Sequence, residues 1–168
     1  MLADGERLGA DGWVLEAVAT PGHTSNHLCF ALGETGSLFT GDHVMGWSTT
    51  VVSPPDGDMG QYMASLEKLL TRDDATYQPT HAGPVRDPKP FVKALIEHRR
   101  DRENQILSCL KSGTTNIADM VTAMYVGLNP NLIGPARRSV FSHIVDLAER
   151  GKVKTDGELA LDADYRLN

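Results

Sequence analysis

Three residues of this 168-residue chain could share one piece of chemistry, because each comes just after an apolar run and a short turn. His23 follows residues 13–19 and the turn Thr20-Pro21-Gly22, Asp42 follows residues 37–40 and Gly41, and His81 follows residues 75–78 and Pro79-Thr80. Neutral imidazole and carboxylate suit borderline metals such as zinc. A hydrolytic centre with two ions ~3.5–4 Å apart also needs an oxygen ligand short enough to bridge them, and aspartate is such a ligand. A single loop histidine is ordinarily a solvated or hydrogen-bonded group, but three loops of one construction favour a shared site.

Residues 13–19 read as a strand stopped by Pro21 and Gly22, since proline removes a backbone donor and glycine admits unusual backbone angles. Residues 28–32 and 37–40 read as an antiparallel hairpin about the loop 33–36, delivering the chain straight into Gly41-Asp42-His43. Asp58 can cap a helix with Met63, Leu66, Leu69 and Leu70 on one face, and a short strand at 75–78 ends at Pro79-Thr80-His81-Ala82-Gly83-Pro84. Beyond this the texture turns helical. Pro90 opens a helix reaching about residue 110 that Gly113 closes, and Thr115 or Asn116 caps the next, which Gly127 stops. Pro135 starts a third helix with Val140, Phe141, Ile144, Leu147 and Ala148 on its apolar face. Asp156-Gly157 between alternating residues predicts a hairpin across 153–161, and helix, helix, ribbon is the order of a winged helix. The class is α+β, divided into residues 1–90 and 91–168.

Hydrophobic residues at 40% and charged residues at 23% are those of a folded globular chain. Sixteen basic against 22 acidic residues give a net charge of −6, against a surface built throughout for phosphate backbone. Cys29 and Cys109 form no metal-type pair and no disulfide framework, which points to the cytoplasm. No apolar run approaches the roughly 18 residues of a membrane span, so no membrane partner is expected.

Thr20-Pro21-Gly22-His23-Thr24, Gly41-Asp42-His43 and residues 79–84, spaced by 19 and 39 residues, resemble the third, fourth and fifth motifs of the metallo-β-lactamase fold superfamily. Ile96-Glu97-His98-Arg99, followed by Arg102-Glu103-Asn104-Gln105-Ile106-Leu107, is similar to the helix that joins hydrolase domain and winged helix in its lactamase-like protein 2 group. The resemblance implies the C-terminal half of an αββα sandwich followed by a winged helix. It implies His23 as a ligand of a first zinc, His81 of a second, and Asp42 as the bridge, with His27 and His43 as pocket-wall or supporting groups. The family's upstream HxHxDH motif is absent from this sequence, and Thr80 stands where the family usually has Gly. Two ligands of one metal, one of the other and the aspartate credited with activating water are therefore missing. The expected parent is a hydrolase directing activated water at an ester, thioester, lactone or phosphodiester. Its partners would be a small ester-like molecule or RNA, and this chain alone would bind zinc weakly, turn over little and self-associate through its uncovered sheet face. The alternative is a module without catalysis, either structural or binding nucleic acid through Arg137, Arg138, His143, Arg150, Lys152 and Lys154.

Overall fold

The structure is a computed structural model that describes residues 2–168. Its sheet has five strands in sequence order: β1 (Arg7–Ala10), β2 (Trp13–Ala19), β3 (Leu28–Leu32), β4 (Ser37–Gly41) and β5 (Thr76–Pro79). The first four pair antiparallel and β5 joins β4 in parallel. β1 is an addition to the sequence reading. Its four residues are all exposed, so Arg7-Leu8-Gly9-Ala10 shows no burial-linked alternation to read.

Alternation gives the sheet two different faces. Val18, Cys29, Ala31, Leu38 and Tyr77 point to one, where they are buried beneath α1 (Met59–Leu70) and the first half of α2 (Pro88–Lys111). Asp58 caps α1 as expected, its side chain accepting from the Gln61 amide at 2.8 Å. The face of α1 that goes inward is wider than the aliphatic pattern suggests. Tyr62, Leu66 and Leu69 are fully buried, while Met63 and Leu70 lie at the margin. The other sheet face carries Leu15, Phe30, Leu32 and Phe39, cross-strand neighbours by register, and Phe39 remains 43% exposed.

A second core lies between the end of α2, α3 (Ile117–Met124) and α4 (Ile133–Glu149), built on Ile106, Ile117, Met120, Ile144 and Leu147. Asn116 caps α3, accepting from the Asp119 amide. A two-stranded ribbon follows, but its partners differ from the expected hairpin. β6 (Val153–Lys154) pairs with β7 (Arg166–Leu167), so the returning strand lies beyond residue 161. The cause is Tyr165, which is buried in the helical core, donates from its hydroxyl to the Ala160 carbonyl and places its amide on the Thr115 carbonyl. Burying that ring outweighs the local Asp-Gly turn, and residues 155–165 become a long loop closed by the Asp156–Arg166 ion pair. Among the described residues no helix is long and apolar enough to cross a membrane.

Candidate metal centre

Strand direction decides where the three candidate ligands go. β2 and β4 both run antiparallel to the strand between them, and β5 runs parallel to β4, so the C-terminal ends of β2, β4 and β5 share one edge of the sheet. His23, Asp42 and His81 are the loop residues just past those ends, and the structure brings all three together. The Asp42 Oδ2 lies 3.9 Å from His23 Nε2, and its Oδ1 lies 3.5 Å from His81 Nε2.

Each loop is held by backbone geometry. Gly22 has φ 139, and a Cβ there would fall 2.3 Å from the Tyr62 Cα, so only glycine lets the turn before His23 press onto α1. The His23 ring is fixed from behind: Nδ1 is 2.5 Å from the Val51 carbonyl and 3.2 Å from the Thr50 hydroxyl. Donation of Nδ1–H to a carbonyl leaves the Nε2 lone pair free and directed at Asp42. Gly41, at φ 54, plays the corresponding part before Asp42, where a Cβ would strike His27 Nε2 at 2.7 Å. The His81 carbonyl accepts from the Gly46 amide, while the ring is more exposed than that of His23.

Behind the edge runs a column of rings. His27 and His43 stand 5.7 Å apart between centroids, and His43 rests 4.8 Å from the Tyr62 ring. Thr20 Oγ1 meets His27 Nδ1 at 2.9 Å, and burial lowers the His27 pKa. His43 is wholly buried, with no partner among the described residues for either ring nitrogen, and burial pushes its pKa down to about 3. It is a neutral packing group beneath the site.

The sequence reading missed Thr50, Val51 and Arg99. Any residue can offer a carbonyl, so nothing at Val51 betrayed its role. Arg99 did leave a signal, because it falls on the same face of α2 as Val92, Leu95, Ile96 and Ile106, all buried. A charged group in that series is itself buried; it donates to the Thr50 carbonyl at 2.5 Å and lies 5.3 Å from the centre of the Tyr62 ring.

The basic residues of the winged-helix portion sit in different surroundings. His143 is buried, with its pKa pushed down to about 3, and so carries no charge. Arg150 and Lys152 are both engaged by Glu103, Arg150 also by Asp146, and Arg137 donates to the Leu161 carbonyl. Arg138, Arg150, Lys152 and Lys154 are all exposed.

Could the edge hold metal? Among the described residues no three or more His, Cys, Asp and Glu side chains are gathered as one enclosing set. The arrangement is instead a carboxylate between two imidazoles. Asp42 Oδ1 is buried without a hydrogen-bond partner among the described residues, which is costly for a carboxylate oxygen unless a cation or donor meets it. Two ligands of one tetrahedral zinc, each ~2.0–2.1 Å from it, stand roughly 3.3 Å apart. The 3.5 Å pair meets that spacing closely and the 3.9 Å pair is too wide for it, so the donors suit a bridged pair in type while their spacing is only partly set for one.

Residues 2–81 match the Metallo-beta-lactamase superfamily and residues 117–162 the Beta-lactamase associated winged helix domain. The Beta-lactamase-like protein 2 homolog of Drosophila melanogaster is 32% identical over 156 residues, covering 91% of this chain and 52% of the relative. An Atrochrysone carboxyl ACP thioesterase of Claviceps purpurea is 30% identical over 130 residues, covering 74% and 41%. The crystal structure of a metallo-beta-lactamase family protein from Thermus thermophilus superposes with a TM-score of 0.83 at 23% identity, over 99% of this chain and 54% of that one. The chain thus spans about half the length of these relatives, and the family it matches includes hydrolases such as thioesterases. With both portions matched and the fold shared over nearly its whole length, the chain belongs to the metallo-β-lactamase superfamily, in the lactamase-like group that carries a winged helix behind the hydrolase fold.

Proposed function

We propose that this chain is the C-terminal portion of a metal-dependent hydrolase, residues 1–90 forming part of the hydrolase domain and 91–168 the linking helix and winged helix. His23, Asp42 and His81 are its share of a dinuclear zinc centre. The observation that carries this reading is the Asp42 carboxylate set between two Nε2 atoms, one of its oxygens buried and unpartnered among the described residues. When bound, zinc supplies Lewis acidity and a water acidic enough to attack an ester, thioester, lactone or phosphodiester at neutral pH. The chain's own residues prepare for it. Val51 and Thr50 hold the His23 tautomer, Gly22 and Gly41 let the loops close, and the His43–Tyr62 column keeps the floor dry. The thioesterase relative favours an acyl thioester among the substrates. The two free cysteines go with a reducing cytoplasm.

Three ligands are too few for two ions, and an ion that exchanges waters for so few donors gains little affinity. Calorimetric titration of the chain with Zn²⁺ tests the site, alongside assays on a thioester, a lactone, a phosphodiester and a β-lactam. The expected result is weak binding that Asp42→Ala and His81→Ala each reduce at least tenfold, with turnover near background. Zinc affinity indifferent to both substitutions would overturn the metal role. Robust turnover abolished by His81→Ala would show that these three ligands suffice.

A further inference from the structure

Arg99 sets a problem that the metal site does not solve. Its guanidinium is buried, and among the described residues no carboxylate pairs with it. One Nη donates to the Thr50 carbonyl, one face lies near Tyr62, and Nε has no partner among those residues. An uncompensated buried cation is costly, whereas an ionic partner with matching donors and acceptors offsets much of that cost. Arg99 also lines a cleft of about 230 Å³ in the seam between residues 49–52, the loop after α3 and the start of α4. Val52, Tyr125, Leu128, Leu132 and Ala136 make most of its wall apolar, and Ser139 adds a hydroxyl.

We propose that this cleft is a binding site for a small carboxylate with an apolar body, its carboxylate on Arg99 and its hydrocarbon against Leu128, Leu132 and Ala136. The planar guanidinium fork matches a carboxylate in two parallel hydrogen bonds. A phosphate dianion would leave charge unanswered, because Arg99 is the one cationic residue among the described residues that line the cleft. The volume lies below the roughly 300–1,000 Å³ of pockets for drug-sized ligands, so the occupant is a fragment or one arm of a larger molecule. Its position also joins it to the candidate centre. The segment Thr50-Val51 holds His23 on one side and Arg99 on the other, so a ligand seated on Arg99 lies one strip of backbone from the edge where hydrolysis is proposed. The assignment rests on the cleft and Arg99 alone, and its test uses no metal and no turnover.

The probes are 4-phenylbutanoate and the neutral 4-phenylbutan-1-ol, titrated calorimetrically into the metal-free chain in a buffer without carboxylate. The expected result is binding of the acid at least tenfold tighter than the alcohol. Arg99→Met should erase that preference, and Ser139→Phe, which fills the cleft from α4 and leaves Arg99 in place, should weaken both probes. Circular dichroism confirms that each variant is folded, and Ser139→Phe keeps the question open to test if Arg99→Met is not. Equal affinity for the two probes, no binding of either, or a preference that survives Arg99→Met would overturn the site and leave Arg99 with the sole task of pinning Thr50.

Discussion

The two cores of this chain are closed to different degrees. Ile106, Ile117, Met120, Ile144 and Leu147 are each inaccessible or nearly so, ringed by three helices, the ribbon and the buried Tyr165. The sheet portion is packed as tightly, but on one side. Val18, Leu38 and Tyr77 vanish beneath Tyr62, Leu66 and Leu69, whereas on the opposite face Phe39 is 43% and Trp13 44% exposed. The same alternation writes both sheet faces, so an apolar face implies a covering layer even where its large side chains stay part-exposed.

The sharpest way to break this contrast is to cut equal-sized holes in each place. Ile144→Ala and Leu66→Ala both empty fully buried positions, and each should cost about 2–5 kcal/mol of unfolding free energy. Phe39→Ala removes a larger side chain from the uncovered face and in dilute solution should cost no more than about 0.5 kcal/mol. Urea unfolding followed by circular dichroism for the helices and by Trp13 and Trp47 fluorescence for the sheet measures all three. A loss at Phe39 comparable to that at Leu66 would mean that the second face is packed after all.

Acid separates the enclosed core from the open surface by a smaller amount. His143 is buried beside Arg99, His98, Glu103 and Arg150, and its pKa is pushed down to about 3, chiefly by burial. An unfolded histidine takes up its proton near pH 6.5. Between those values the unfolded chain binds a proton that the folded chain refuses, so stability falls as pH drops from about 6.5 toward 3, with a slope of up to about 1.4 kcal/mol per pH unit from this group. His43, pushed down to about 3 under the sheet, contributes in the same sense. His143→Leu removes one of these contributions. It should flatten the acid limb of a stability–pH curve and cost little at pH 7.5, since Nε2 has no hydrogen bond to lose among the described residues. An unchanged acid limb would show that His143 is not held neutral.

These contrasts also explain what could be read from residues alone. The strands ending at His23, Asp42 and His81 were legible, because an apolar run followed by a Pro or Gly turn is a local signal and sheet direction then carries the loops to one edge. The caps at Asp58 and Asn116 were legible for the same reason. The ribbon was half legible: Asp156-Gly157 advertised a turn, but Tyr165 fixed the pairing through a core contact far from the turn itself. His143 looked like a surface group beside Arg137 and Arg138, yet it faces inward with Val140, Ile144 and Leu147. The backbone partner of His23 was illegible, since a carbonyl at Val51 has no signature in residue type.

The last prediction turns the open sheet face into a measurement of mass. Leu15, Phe30, Leu32 and Phe39 lie side by side across β2, β3 and β4, and removing apolar surface from water is favourable by roughly 25 cal/mol per Å². We propose that a second copy of the chain covers this face when no other layer is present, so that light scattering finds a concentration-dependent dimer. Phe39→Lys places a charge at the centre of the patch and at the paired position of Phe30, where a dimer would have to bury it without a partner. The variant should scatter as a monomer, while in dilute solution its unfolding free energy stays within about 0.5 kcal/mol of the parent chain, because Phe39 is already 43% exposed. A monodisperse wild-type monomer at high concentration would rule out self-association through this face. A dimer indifferent to Phe39→Lys would move the interface elsewhere, with the exposed Val126, Leu132 and Ile133 of the helical portion as the next surface to substitute.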